Sequence, residues 1–478
     1  MKCSALSSAL ALLLLVFPAF LPSISRAQFE AGFSQVDITP QEWPVTLRGS
    51  FNPKPTESAH DPLRSRSFAI QNGEGRAILT VVDNLYMPQD LLDEIKAEVA
   101  DRTGWDPTEM LISGTHTHSA PSSSGSSDQP AEVAYRKRFF DGVVESMEKA
   151  IGALAPAKIG FGSDEEPSEV FNRRWYLKEG SMPPNPFGGY DKVKMNPPRN
   201  LILKPAGPTD PEVAVIAVVD SRNRPLGLFA NYALHYVGAV PGRQVSADYF
   251  GEFARLATTK FAGRNPSETF VAMLSNGASG DINNIDFAGN RPPRAPFEQI
   301  RQVATKVSDA AWRATRDLEY KTDLPIATRE RRIVLQTRKP TAEQVEQAGK
   351  LLDMTAEELK AQPRLASHYA LRILALAKRP ETTEVAIQAI RIGDQAIVGL
   401  PFEVLVEIGL DLKKKSPFPR TLLISMANGG FGYLPPPHQH ELGGYETWLG
   451  TCKVAEDSSV ILTKELLEML GELKNEKP

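Results

Sequence analysis

The chain has 478 residues, 54 Lys and Arg against 58 Asp and Glu, a net charge of −4, 41% hydrophobic residues and two cysteines. That apolar content suffices for a sizeable core and excludes disorder along the whole chain. The slightly acidic balance disfavours a nucleic-acid binder, and two cysteines cannot build a disulfide scaffold.

Lys2, an apolar run over 9–21 and the small-residue signal Ser25-Arg26-Ala27 predict a secretory signal peptide over 1–27. The mature chain, 28–478, is then exported and either periplasmic or secreted. It keeps Cys452 as its sole cysteine, and no later stretch has the length and purity of a transmembrane helix.

After that leader, β-rich runs alternate with amphipathic ones. Residues 77–83 (AILTVVD) read as a buried strand, Gln89–Thr103 as a helix with Leu91, Leu92, Ile95 and Val99 on one face, and 110–113 as a second strand opening into GTHTHSAPSSSG. A helix follows near 131–154. The Pro-, Gly-, Asn- and Arg-rich stretch 167–211 reads as a long loop. Strands are expected over 213–220 and 226–232, a helix over 250–261, a strand over 269–274 and a helix over 299–318. Residues 327–336 alternate like a half-exposed strand. A helical insertion is expected over 341–379, with Thr341 as N-cap. A strand pair over 385–400 turns at Gly393-Asp394. A helix over 402–415, a strand over 421–426 and a terminal helix over 456–474 complete the pattern. It predicts an α/β fold: a mixed sheet core with flanking helices, in one large catalytic domain over 28–478.

Polar loops leave three of these strands, and sites in α/β sheets collect at strand ends. The first loop carries His116 and His118, which are expected to diverge and take different roles rather than chelate one ion side by side. The second carries His235. The helix after Pro401 is expected to begin at Glu403, and the last loop carries Tyr433, His438, His440 and Tyr445. Two histidines and a glutamate suit catalytic zinc. No HExxH or CxxC pattern occurs, so spacing alone selects no ligand set.

The stretches GFSQVDITP, HDPLRSRSFAI, GTHTHSAP, FNRRW, SADYFG, SNGASGDINN, LPFEV and FGYLPPPHQHELGGYE occur in the order found in the neutral/alkaline (non-lysosomal) ceramidase family. The chain resembles the N-terminal catalytic domain of that family, and the C-terminal β-sandwich that follows in classical members is not expected. The resemblance implies a Zn2+ ion held by His116, His235, Glu403 and Tyr433, with His118 and Tyr445 at the reacting carbonyl. Tyr433 and Tyr445 keep the family's twelve-residue spacing. Asn283 stands where the family has a serine, and Asn284 where it has a proline. Attack by zinc-activated water, with Asn283 or Asp281 orienting water or substrate, is then expected, Ser275 and Ser279 being out of register. Arg173 or Arg174 is expected to hold a polar or anionic substrate group, or else to form a salt bridge.

The implied function is hydrolysis of an N-acyl amide bond in a small-molecule or lipid substrate. The loop LPPPHQHELGGY departs from the family pattern, so substrate shape is expected to differ. The alternatives are a zinc-dependent esterase, lactonase or deacylase on another extracellular substrate, and a non-catalytic binding homologue.

Overall fold

The computed structural model describes residues 28–476 apart from Pro266, Glu268, Asn290 and Pro293; the expected signal peptide lies outside the described residues. Eight strands form the larger sheet: β1 (Glu30–Asp37), β2 (Arg64–Asn72), β3 (Gly75–Val82), β4 (Met110–Gly114), β5 (Ala155–Glu165), β6 (Glu212–Asp220), β7 (Pro225–Tyr232) and β8 (Val271–Asn276). Their spatial order is β8-β7-β6-β5-β1-β2-β3-β4. The outermost pairs, β7/β8 and β3/β4, are parallel, and the strands between them are antiparallel.

A second sheet has the order β9 (Ile326–Gln336), β10 (Thr382–Ile392), β11 (Gln395–Leu400), β12 (Arg420–Ser425), with only β11/β12 parallel. The mixed α/β architecture is as expected, with the core divided between two facing sheets. Alternation along the strands explains the facing. Ala214, Ile216 and Val218 of β6 join Ile390, Ile397 and Ile424 of the second sheet in one core, with Phe33 stacked on Phe68 at 4.3 Å between ring centroids. Truncating one such buried ring costs about 3–5 kcal/mol.

The opposite faces are covered by helices. Helices α1 (Gln89–Thr103) and α2 (Pro130–Gly152) cover the β1–β4 half; α3 (Asp248–Ala262) and α4 (Glu298–Ala314) cover the β6–β8 half. The second sheet carries α7 (Val406–Lys415) and α8 (Ser458–Asn475). The result is four layers, helix–sheet–sheet–helix. A strand apolar on both faces is what such a stack requires, so the runs at 77–83 and 213–220 are the most readable from sequence.

Three strands of the larger sheet are absent from the sequence reading. In β2 the buried Ser65 and Ser67 hydroxyls bond Ser146 of α2 (2.7 and 2.9 Å), so polar residues occupy core positions and mask the apolar pattern. Strands β1 and β5 lack a continuous β-branched run for similar reasons. The expected loop over 167–211 contains a small sheet of Arg174–Leu177, Val193–Met195 and Ile202–Pro205, whose three- and four-residue strands are too short to show a period.

The insertion is helical: α5 (Ala342–Leu352), a short turn Ala356–Lys360 and α6 (Ala366–Ala377), with Thr341 and Gln344 forming a reciprocal capping box. Glu403 does not open a helix. It pairs in a two-stranded parallel ladder with Tyr433, and α7 begins at Val406.

Candidate active site

The loops that leave β4, β7, β11 and β12 converge. Their backbones are tied: Asn428 N–H donates to Ile112 O at 2.8 Å, and Gly280 N–H to Val404 O at 2.7 Å. A Cβ on Gly280 would lie 2.7 Å from the Glu403 carbonyl oxygen, so only glycine lets the loop after β8 lie this close. In the Glu403–Tyr433 ladder the two residues are directly paired, which brings the carboxylate and the phenol side by side.

His116 and His118 meet rather than diverge. Their Nε2 atoms lie 3.2 Å apart, and His116 Nε2 is 3.1 Å from His235 Nε2. Residues two apart share a face on an extended chain, and here His116 also adopts φ 69°, which turns the chain just after β4. Each outer nitrogen faces a backbone carbonyl: His116 Nδ1 donates to Leu85 O (2.8 Å), His118 Nδ1 to Gly49 O (2.8 Å) and His235 Nδ1 to Ser279 O (3.0 Å). A carbonyl can only accept, so each Nδ1 carries a proton and each Nε2 of a neutral ring presents a lone pair. Gly49 itself presses on His118; a Cβ there would sit 2.3 Å from the His118 Cβ.

Glu403 Oε2 completes the convergence at 3.2 Å from His116 Nε2 and 3.6 Å from His235 Nε2, and is buried without a hydrogen-bond partner. Four acceptors aimed at one point need a cation. A single proton on His116 can serve one of these contacts; a metal ion serves all of them. Ligand atoms around tetrahedral zinc lie roughly 3.3–3.4 Å apart, close to the observed spacings. The three imidazoles form the one group among the described residues that could hold a metal ion, and Glu403 adds a carboxylate.

The electrostatics agree. Burial acts to raise the Glu403 carboxyl, but His116, the Tyr433 hydroxyl and the Arg173 guanidinium together hold it down to about 2. Burial, then the charge of His116, pushes His118 down to about 3, so its ring is neutral at pH 7. Burial likewise depresses His235 well below the ordinary imidazole range. It also pushes the Tyr433 phenol far up, against the pull of Arg173. Tyr433 therefore stays protonated unless a further positive charge lies beside it.

Arg173 donates from Nη2 to the Tyr433 hydroxyl (2.9 Å) and from Nε to the fully buried Glu446 (2.9 Å). It thus positions Tyr433. Tyr445 stands edge-on to Tyr433 at 5.5 Å, and Tyr236 stacks on His118 at 3.6 Å. His116, His118, Arg173, His235, Glu403, Tyr433 and Tyr445 all line one cavity of about 620 Å³.

Three expected site residues do not line that cavity. Arg174 is fully buried, its donors directed to Gln439, Glu446 and the Gly443 carbonyl, so none is left for substrate. Asp281 accepts from the Val406 N–H at the start of α7 and from Asn172 Nδ2, both at 2.8 Å. It anchors the helix rather than facing the histidines. Asn283 Nδ2 donates to Asn196 Oδ1 (2.7 Å), and only Asn196 reaches the cavity. The Ser275 and Ser279 hydroxyls are held by Ala230 O and Asn276 Oδ1. His438 pairs with Glu407 at 3.0 Å, while neither ring nitrogen of His440 has a hydrogen-bond partner and Nδ1 lies 3.9 Å from the Glu456 carboxylate.

Sequence reasoning missed Glu446, Tyr236 and Asp248. Each adjoins or lies near a named site residue, but nothing in spacing marks it. Asp248 accepts from Val237 and Gly238 N–H (3.0 and 2.8 Å) and so shapes the turn after His235.

Fold and site define a four-layer mixed α/β protein with a buried histidine–glutamate cluster suited to a metal ion. The sequence profile described as "Neutral/alkaline non-lysosomal ceramidase, N-terminal" matches residues 29–290, more than half of the chain, and the chain belongs to this family. It is 26% identical over 271 residues to the neutral ceramidase of Mycobacterium tuberculosis, covering 52% of this chain and 39% of that protein. It is 24% identical over 279 residues to neutral ceramidase B of Dictyostelium discoideum, covering 54% and 36%. The chain thus spans under half the length of these relatives. The crystal structure of Pseudomonas aeruginosa neutral ceramidase superposes with a TM-score of 0.71 at 17% identity, covering 95% of this chain and 75% of that one; the likeness is one of fold.

Proposed function

We propose that this protein is an exported zinc-dependent hydrolase that cleaves an N-acyl amide bond with an activated water. The observation that carries the reading is the convergence of three imidazole lone pairs and an unpartnered carboxylate oxygen beside two tyrosines in one cavity. Names of relatives that are neutral ceramidases support the amide bond. Export rests on the sequence pattern over 1–27.

His116, His235, Glu403 and Tyr433 would hold the ion. When bound, it lowers the pKa of water towards neutrality and polarises an amide carbonyl. The chain's own groups do the rest. His118, fixed through Nδ1 by the Gly49 carbonyl, offers Nε2 as the base that takes a proton from the attacking water and returns it to the departing amine nitrogen. Tyr445 donates a hydrogen bond to the oxygen on which negative charge develops. Arg173 orients the Tyr433 phenol, and Glu446 neutralises Arg173. Because the two Nε2 atoms are close, His118 is also within reach of ligand duty; a His118→Ala variant that keeps its metal but loses turnover assigns it to proton transfer.

The test is metal analysis of the purified protein with hydrolysis of matched amides and esters. Stoichiometric zinc, amide turnover and loss of both in His116→Ala are expected. A wild type that holds no zinc, or a variant that retains full activity, overturns the reading. Turnover of esters alone replaces it with the esterase alternative.

A further inference from the structure

The cavity has a second wall, away from the histidines. It is built by α6 of the helical insertion and by the segment after Tyr445, and it includes Arg372, Arg379, Thr451 and Lys453. Arg372 is held over the Phe51 ring at 5.0 Å and donates from Nη1 to Thr451 Oγ1 at 3.1 Å. Its Cβ lies 2.9 Å from where a Cβ on Gly450 would stand, so the insertion is seated directly on the strand-end loop. The Lys453 stem passes Gly432, next to Tyr433, with Cε 3.7 Å from the position of a Gly432 Cβ. Lys453 thus links this wall to the histidine cluster.

Among the described residues, none of Arg372, Arg379 and Lys453 has a carboxylate within ion-pair distance. Other cations near the cavity do have one at hand: Arg173 pairs with Glu446, and Arg48 lies near Glu132. Among the described residues, Glu403 is the only cavity-lining carboxylate, and it faces the histidines. Three cations with no carboxylate in ion-pair contact repel one another, and burial, then Arg379 and Arg372, push the Lys453 ammonium down to about 8 against the weaker pull of Glu403. Such a cluster beside the histidines attracts negative charge.

We propose that Arg372, Arg379 and Lys453 form an anion subsite, so that the amide cleaved by this protein carries a carboxylate or a phosphate rather than being an uncharged lipid amide. This rests on the amide-hydrolase reading and adds the substrate class. Thr451 and Arg372 fix the register of the anion, and the exposed Arg379, just past the C-terminus of α6, draws it in from solvent. The three side chains come from α6 and the residues just after it and from the segment after Tyr445, at positions other than those that would hold the metal.

The test compares three short, monomeric probes of equal acyl length: N-hexanoylglycine, N-hexanoyl-phosphoethanolamine and the neutral N-hexanoylethanolamine. Binding to the full-length protein is read by calorimetry, and turnover by amine release from zinc-loaded enzyme. An anionic probe is expected to bind about tenfold tighter than the neutral one, the effect of one charge-assisted hydrogen bond, and the preference should shrink with added salt. Arg379→Gln with Lys453→Gln should reduce that preference to about twofold; Arg372→Gln should reduce it likewise. The carboxylate and phosphate arms show which anion is favoured. Equal binding of neutral and anionic probes, or a preference that survives the double variant, overturns the subsite. Absence of turnover for all three probes overturns the amide reading instead, and the binding comparison still decides the subsite.

Discussion

The two walls of the cavity are built on opposite terms. On the inner wall every outer histidine nitrogen is held by a carbonyl, Tyr433 by Arg173, and Arg173 by Glu446. Its residues descend from strand ends of the two packed sheets, and its orphan atoms all aim at one point. On the outer wall the charged groups are cationic, without an ion pair among the described residues, and carried on α6, the residues just after it and a loop. On the proposed reading, the inner wall serves the bond-breaking step and the outer wall receives a ligand feature that it does not itself supply. That reading assigns chemistry and selectivity to different walls, and variants in each test the assignment.

The sharpest way to break this comparison is to remove an inner ligand. His235→Ala should abolish metal binding, read by elemental analysis, and lower kcat/KM by ~10³-fold or more, since the metal's contribution is several kcal/mol at about 1.4 kcal/mol per decade. Tyr445→Phe keeps the ring and removes one donor. It should cost about 10²–10³-fold in kcat with metal content unchanged; a loss confined to KM would move Tyr445 to the outer wall.

Glu446→Gln leaves Arg173 and Arg174 without their buried counter-charge. Breaking a buried pair on one side costs about 3–5 kcal/mol, so the thermal midpoint should drop by many degrees. An unchanged midpoint would mean that the pairing does not support the inner wall.

Asp281 gives a pH signature. Burial raises its carboxyl from 3.8 to about 6, against the Val406 N–H, Arg174 and Asn172 that favour its charge. A raised folded value means the native state holds the proton longer than the unfolded chain. Its contribution to stability is therefore fully present below 3.8 and lost as pH rises through 6. Urea titrations of the wild type and Asp281→Asn should converge in slope above that window and diverge within it, the variant being flatter. The smallest effect belongs to Asn283→Ala: with its amide on Asn196 rather than in the cavity, kcat/KM should change by less than about threefold. A loss of several decades would return Asn283 to the reaction.

Several parts of this molecule were readable without coordinates. The apolar runs of β3, β6 and β8, the period of α1 and the capping box at Thr341 each encode their element locally, because a strand buried on both faces and a helix with one apolar stripe leave their period in the chain. His116, His118, His235, Glu403, Tyr433 and Tyr445 could be named as candidates from their places after strands and from family resemblance, and all of them line the cavity. Strands β1, β2 and β5 could not, because their core positions hold serines and glycines whose partners lie on other elements.

The division of labour among charged residues was likewise beyond reach. Arg173 and Arg174 are adjacent and chemically identical, yet one reaches the Tyr433 phenol and the other is fully enclosed by the 439–446 loop. Asp281 sits in a motif rich in polar residues and proves to anchor α7. Local sequence determines which side chains are available and which backbone period carries them. Whether a given charge faces a metal, a substrate or a countercharge is decided by contacts between residues hundreds of positions apart, and those distances exist only once the two sheets have packed.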